Sequence, residues 1–246
     1  MANYQIDENT VMYHINMKMG DVGRYVILPG DPFRTDLIAS YLEDAKLVAH
    51  NRELKTWTGY LDGEKVSVTS TGMGGPSAAI AIEELTAIGA DTFIRVGTAG
   101  KVCDKAQDPD LDACIVTAAV RDEGTTKQYV PVDYPAFADR HIVDALARAA
   151  KARGLNYVEG ISHCKDSFYG QVAPDTMPIG KHLNERWETW KKANVMCAEM
   201  ESAILFVIAS IRKTRAGSIM NWKNMDETIQ TAIDALRIII KEDKEQ

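Results

Sequence analysis

Apolar and polar positions along the chain fall into short apolar runs that alternate with longer stretches of helical period. Arg24–Pro29 (RYVILP) and Val66–Thr71 (VSVTST) read as buried strands, with further strands at Thr92–Val96, Cys114–Val120, Asn156–Ile161 and Ala216–Met220. A helix is predicted over Ser77–Ile88, with Pro76 suited to its first turn and Gly89 closing it. Others are predicted over Asp139–Arg153, ended by Gly154, over His182–Lys192, over the strongly apolar Glu199–Arg212, and over the amphipathic Met225–Lys244. Strand–helix alternation of this kind implies an α/β domain with a largely central sheet, whose ligands bind where loops leave the carboxyl ends of strands. The turns Gly30-Asp31-Pro32, Gly72–Gly75 and Gly97–Gly100 each follow a predicted strand, so all three are expected on one rim of the sheet.

Composition narrows the class. Of 246 residues, 46% are hydrophobic and 26% charged, as in an ordinary globular protein, and the formal net charge of −7 argues against a generic nucleic-acid binder. It does not exclude a small anionic ligand, which answers to local charge. The four cysteines (Cys103, Cys114, Cys164, Cys197) form no C-x-x-C pair and have no zinc spacing with histidine, so they read as reduced thiols of a cytoplasmic protein without a metal site. The polar segment Met1–Thr10 does not read as a signal peptide, and the apolar run from Ser202 to Ile211 is too short to span a bilayer.

Five constellations carry candidate chemistry. In Leu28-Pro29-Gly30-Asp31-Pro32-Phe33-Arg34 a glycine after a strand admits an anion to backbone N–H groups, and Arg34 adds a charged fork; alternatively this is a plain turn with a surface arginine. In Arg95-Val96-Gly97-Thr98-Ala99-Gly100 an arginine inside an apolar strand needs an anionic partner, either a ligand or an internal carboxylate. Ser70–Ser77 has the glycines of a dinucleotide turn but carries Ser77 where the third should stand, and reads as tight strand–helix packing. Glu199-Met200-Glu201 opens a helix, where carboxylates suit the helix dipole or could accept from sugar hydroxyls. In Asp166–Gln171, Phe168 can stack on a base and the Gln171 amide can pair with a base edge, or the segment is a loop with a core aromatic.

In this order, PGDPFR (29–34), TGMGGPS (71–77), RVGTAG (95–100), DSFYGQ (166–171) and AEMES (198–202) resemble the uridine phosphorylase branch of the nucleoside phosphorylase family, over about residues 13–220. The resemblance implies a single domain spanning residues 1–246, a three-layer sandwich with a central mixed sheet flanked by helices. It assigns phosphate to Gly30, Arg34, Arg95 and Thr98, together with Arg52 from a neighbouring subunit. It assigns ribose to Glu199, Met200 and Glu201, with His14 from the neighbour near the 5′-hydroxyl, and the base to Phe168 and Gln171. Arg95, Glu201 and Arg34 are the implied catalytic groups. Inorganic phosphate is the implied co-substrate and no cofactor or metal is implied. The implied partners are nucleoside and phosphate, with neither nucleic acid nor membrane, and the implied assembly is a dimer-based hexamer with shared sites.

Two departures concern the base. Ala173 stands where bacterial uridine phosphorylases carry an arginine that aids uracil, and after Met220 the chain passes straight into Asn221-Trp222-Lys223, where relatives have a flap over the base. In purine-cleaving relatives that flap holds the aspartate that protonates the purine. A purine nucleoside phosphorylase, a nucleosidase of the same fold and a non-catalytic nucleoside-binding protein therefore remain as alternatives; a dinucleotide-dependent oxidoreductase fits least.

Overall fold

The computed structural model describes residues 6–245. One mixed sheet organises the chain, in the order β2 (Glu43–Asn51), β3 (Leu54–Leu61), β4 (Glu64–Thr69), β1 (Tyr25–Pro29), β5 (Thr92–Thr98), β11 (Arg215–Asn221), β7 (Ala113–Arg121), β9 (Tyr157–Cys164), β10 (Cys197–Glu199) and β6 (Gly100–Lys101), with β8 (Ala136–Phe137) alongside β7. β1 (Tyr25–Pro29) lies parallel to both β4 (Glu64–Thr69) and β5 (Thr92–Thr98), and β11 (Arg215–Asn221) runs parallel to β5. The turns after β1, β4 and β5 consequently share one rim, as the pattern implied.

The chain closes part of this sheet on itself. β6 (Gly100–Lys101) follows β5 after Ala99 alone, yet lies at the far end of the strand order, antiparallel to β10 (Cys197–Glu199). The strands between, including β9 (Tyr157–Cys164), must therefore curl round until β10 meets the end of β5. This curl brings residues about a hundred positions apart into one site.

Alternation along the strands feeds two cores. Val26, Leu28 and Phe93 point to one face, covered by α2 (Gly75–Ala87) and α6 (Ser202–Arg212). Tyr25, Ile27, Ile94 and Val96 point to the other, covered by α1 (Pro32–Ala39), α3 (Arg140–Arg153) and α7 (Met225–Lys244). The α/β three-layer sandwich is thus present. The helix ends follow local chemistry: Asp139 accepts from the His141 and Ile142 amides at the start of α3, Gly154 ends it at φ +70°, and Asn224 accepts from the Asp226 amide before α7. The short α4 (Phe168–Val172) and the 13-residue α5 (Gly180–Lys192) flank the rim.

Several elements differ from the pattern reading. The hairpin of β2 (Glu43–Asn51) and β3 (Leu54–Leu61) is additional; β2 is mostly exposed, so it carries no apolar run. β9 continues past Ile161 to Cys164. The stretch expected as helix from Glu199 is strand as far as Glu199, and α6 begins at Ser202. No helix among the described residues is long and apolar enough to cross a membrane, and no group of His, Cys, Asp and Glu among them could hold a metal ion.

Candidate active site

A cleft of about 760 Å³ opens on the glycine-rich rim. Its wall contains Gly30, Arg34, Arg95, Thr98, Phe168, Gln171, Glu199, Met200 and Glu201, so nine of the residues singled out above converge there.

Arg95 rises from β5 onto the face covered by α6 and is 5% exposed. Its Nη2 donates to Glu201 Oε2, and its Nε lies 3.4 Å from Glu199 Oε2. The internal-carboxylate reading of this arginine therefore holds, while Nη1 is buried with no hydrogen-bond partner among the described residues. A buried guanidinium N–H left over beside a cleft is a donor awaiting an acceptor. The space behind it is tight at Gly97. A Cβ at Gly97 would stand 3.0 Å from Met220 Sδ and 3.1 Å from Arg95 Nη2.

The two glutamates divide their work. Glu199 accepts from the amides of Glu201 and Ser202, at 2.8 Å each, and from Ser162 Oγ at 3.3 Å. Its side chain is 1% exposed, so it acts as the peg that fixes the start of α6 and the reach of Arg95. Glu201 is the more available carboxylate: one oxygen accepts from the Gly74 amide at 2.5 Å, the other from Arg95. Burial pushes its carboxyl above the ordinary range, against the pull of Arg95, and Glu199 adds to the rise. The Gly74 contact explains the third motif, because Gly72 and Gly74 adopt φ +67° and +89° to turn that amide inward.

Arg34, half-buried in α1, adds a second cation. Burial holds its guanidinium below the usual value and the like charge of Arg95 lowers it further, while Asp31 opposes both. Asp31 itself caps α1 by accepting from the Phe33 amide at 2.9 Å. Thr98 is exposed at the end of β5. Across the cleft, α4 presents Phe168, 55% exposed and edge-on to Tyr169, and half-buried Gln171.

The pattern reading missed Lys165. It is 7% exposed, lines the cleft beside Gln171, and burial lowers its ammonium below the usual lysine value. The signal that would have revealed it is the continuation of strand β9 through Ser162 and His163, which makes Lys165 a buried strand-end residue and not a loop cation.

His14 and Arg52 stand outside this cleft. His14 Nδ1 lies 2.6 Å from Glu84 Oε1, and its carbonyl accepts from Asn51 Nδ2 at 2.8 Å. Asn51 ends β2, and exposed Arg52 follows in the tight turn at φ +54°. The two residues thus share one surface patch. The link from β11 to α7 consists of residues 222–224 alone, so no flap leaves the sheet there.

Sequence comparisons agree with this geometry. A family model described as the phosphorylase superfamily matches residues 24–238. A uridine phosphorylase of Treponema pallidum (strain Nichols) is 42% identical over 250 residues, covering 94% of this chain and 95% of its own. A uridine phosphorylase of Thermococcus kodakarensis is 48% identical over 214 residues (86% of this chain, 76% of its own), and a guanosine phosphorylase of Halorubrum lacusprofundi is 38% identical over 206 residues (84% and 80%). With a family model matching residues 24–238 and relatives matched over most of both chains, the chain belongs to the phosphorylase superfamily.

Proposed function

We propose that this protein is a nucleoside phosphorylase, a pentosyltransferase that uses inorganic phosphate to cleave the N-glycosidic bond of uridine, releasing uracil and ribose 1-phosphate in nucleoside salvage. The observation that carries the reading is the unpartnered Nη1 of buried Arg95, next to Arg34, Gly30 and Thr98 and opposite Glu201. Water as nucleophile would not need two arginines around a glycine turn.

Arg95 and Arg34 hold phosphate below the sugar with one oxygen facing the anomeric carbon. That oxygen forms the new C–O bond as the C–N bond breaks, and the bonding pair leaves with the base. The transition state has oxocarbenium character, which the bound phosphate dianion stabilises. Glu201 accepts hydrogen bonds from the ribose 2′- and 3′-hydroxyls while Met200 packs on the ring, and Glu199 keeps Glu201 and Arg95 in place. Phe168 stacks on the base, Gln171 pairs with its edge, and the Lys165 ammonium stabilises the charge leaving with it. Lys165 takes the part of the arginine missing at Ala173. The three-residue link to α7 has no room for a purine-protonating flap, which favours a pyrimidine.

His14 and Arg52 complete the reading as residues given to a neighbouring copy. Their shared patch, displaced from their own cleft, supports a homo-oligomer with shared sites, assembled as a dimer-based hexamer of one-domain subunits. A cytoplasmic setting without nucleic acid, membrane, metal or cofactor belongs to the same reading. The test is release of uracil, thymine, hypoxanthine, guanine and adenine from their nucleosides with and without phosphate. Strictly phosphate-dependent turnover with uridine in front is expected; phosphate-independent turnover would establish a nucleosidase instead.

A further inference from the structure

Glu84 of α2 is a carboxylate whose side chain is 10% exposed, and among the described residues no lysine or arginine pairs with it. A buried charge is costly unless it is paired and hydrogen-bonded, so the partners it does have are informative. All of them belong to one strap near the start of the chain. Glu84 Oε2 accepts from the amides of His14 and Ile15, at 3.0 and 2.9 Å. Its Oε1 lies 2.6 Å from His14 Nδ1. A carboxylate only accepts, so Nδ1 carries the hydrogen of that bond and Nε2 is the nitrogen left for a ligand.

The strap is pinned on its other sides as well. It closes on itself, the Met12 amide donating to the Met17 carbonyl at 2.8 Å and the Asn16 amide to the Met12 carbonyl at 3.0 Å. Met12, Ile15 and Met17 are buried in the core beneath it. Asn51 Nδ2 donates to the His14 carbonyl at 2.8 Å, and the Tyr13 ring stands edge-on to the imidazole, 4.8 Å between centroids. His14 is thus fixed in backbone and ring, yet 31% of its side chain stays exposed. An imidazole locked by a carboxylate on one nitrogen and open on the other is held in the way that orients a ligand-binding histidine.

We propose that Glu84 is a positioning residue for the neighbouring copy's site: it holds His14 with Nε2 outward, and so sets how strongly that site selects nucleosides with a 5′-hydroxyl over 5′-deoxy nucleosides. The inference rests on the phosphorylase reading above and on its sharing of His14 between copies. The placement of Glu84 gives one helix two tasks. The Gly74 amide, at the start of α2, meets Glu201 in its own cleft. Glu84 lies about 15 Å further along the same helix, at 1.5 Å per residue, and holds the histidine given to the next cleft.

The test measures kcat/KM for uridine and for 5′-deoxyuridine in wild type, His14→Ala and Glu84→Gln. Wild type is expected to prefer uridine by about three- to tenfold, the worth of one hydrogen bond. His14→Ala should bring the two substrates together. In Glu84→Gln the amide oxygen can serve the strap amides or the ring, and its NH2 then faces a group that was donating. That variant is expected to retain a preference of less than about twofold, with the loss falling on uridine and 5′-deoxyuridine little changed. The ratio of the two substrates does not depend on how much of the enzyme is folded, so a purely structural loss leaves it unmoved. Asn51→Ser, which frees the His14 carbonyl without baring a buried charge, supplies the same ratio should Glu84→Gln yield no folded protein. A wild type without preference, or a Glu84→Gln enzyme that keeps it, overturns the positioning role while leaving the phosphorylase standing. Absence of any phosphate-dependent cleavage overturns both.

Discussion

Arg95 and Glu201 form an ion pair between the middle of β5 and the residue that precedes α6, and each keeps capacity beyond that pair: Arg95 through an unpartnered Nη1, Glu201 through lone pairs facing the cleft. The pair thus ties the proposed phosphate end to the proposed ribose end. Removing Arg95 should affect both chemistry and stability. Arg95→Ala is expected to lower kcat/KM about 10²–10³-fold, the loss typical of a donor aimed at transition-state charge. Because two buried carboxylates lose their counterion, unfolding should become easier by about 3–5 kcal/mol. Arg95→Lys keeps the charge and loses the fork, so it should retain the fold while phosphate KM rises; kinetics at varied phosphate and a denaturant titration separate the two effects. Near-normal phosphorolysis by Arg95→Ala would refute the assigned role.

Glu201→Gln keeps the shape and removes the charge. Its amide can still accept from the Gly74 amide, so the turn should hold. Nucleoside KM is expected to rise about tenfold or more, as charge-assisted hydrogen bonds are about twice as strong as neutral ones, while phosphate KM changes less. Equal effects on the two substrates would move Glu201 out of the ribose site.

Gly97→Ala probes the precision of the clamp. The new methyl would press on Met220 Sδ and Arg95 Nη2 at 3.0 and 3.1 Å. Met220 is flexible, but Arg95 is held by Glu201, so a shift of a few tenths of an ångström reaches the phosphate site. Misplacement by an ångström costs about a hundredfold, and roughly a tenfold fall in kcat/KM is expected here, carried by phosphate KM with the melting curve little changed. An unaltered phosphate KM would show that the site absorbs the methyl.

Much of this was legible beforehand, and the omissions have physical causes. β1, β4 and β5 are buried on both faces, so their apolar runs and following glycines announced both the strands and the rim. β2 gave no such signal because it lies largely in solvent, and β9 was cut short because buried Ser162 and His163 are polar, Ser162 pairing with Glu199 and His163 Nε2 with Asp122. The start of α6 was displaced for a related reason. Glu199 bonds to the amides of Glu201 and Ser202 from outside the helix, a role that favours the same residue type as the first helical turn itself. Pairings across the curl of the sheet, such as Arg95 with Glu201, depend on β6 returning beside β10, which no local pattern encodes.

Stability should show its own pH dependence at the opposite edge of the molecule. Asp243 of α7 accepts from Arg215 on β11 and from Tyr25 on β1, and hydrogen bonding to Arg215, the largest effect, holds its carboxyl below the ordinary range of 3.8. Burial, and then its hydrogen bond to Asp243, push Tyr25 up to about 12. A carboxyl lowered in the folded state stabilises above its unfolded pKa, and that contribution fades as pH falls through the folded value. Asp243→Asn should therefore cost about 1–2 kcal/mol at neutral pH, within the range for hydrogen bonds to charged groups at a partly solvated site. The gap to wild type should close below pH 3.8. Urea titrations of both proteins across acid pH measure it; a gap that persists there would assign the loss to packing.

Lys165 yields the most specific kinetic expectation. Its ammonium is buried beside Gln171 and depressed by that burial, so it loses its proton at a pH below the usual lysine range. If the charged form stabilises the departing base, kcat is high while Lys165 is protonated and falls as pH rises through the lowered value. Wild type should thus show an alkaline limb below 10.5. Lys165→Arg keeps a cation at every accessible pH and should shift or abolish that limb. Lys165→Met should lower kcat by about 10²–10³-fold, as for loss of one charge-stabilising donor, and flatten the profile, with phosphate KM near the wild-type value. A methionine variant that keeps both the rate and the limb would place the charge of the leaving base elsewhere, with Gln171 as the next group to test.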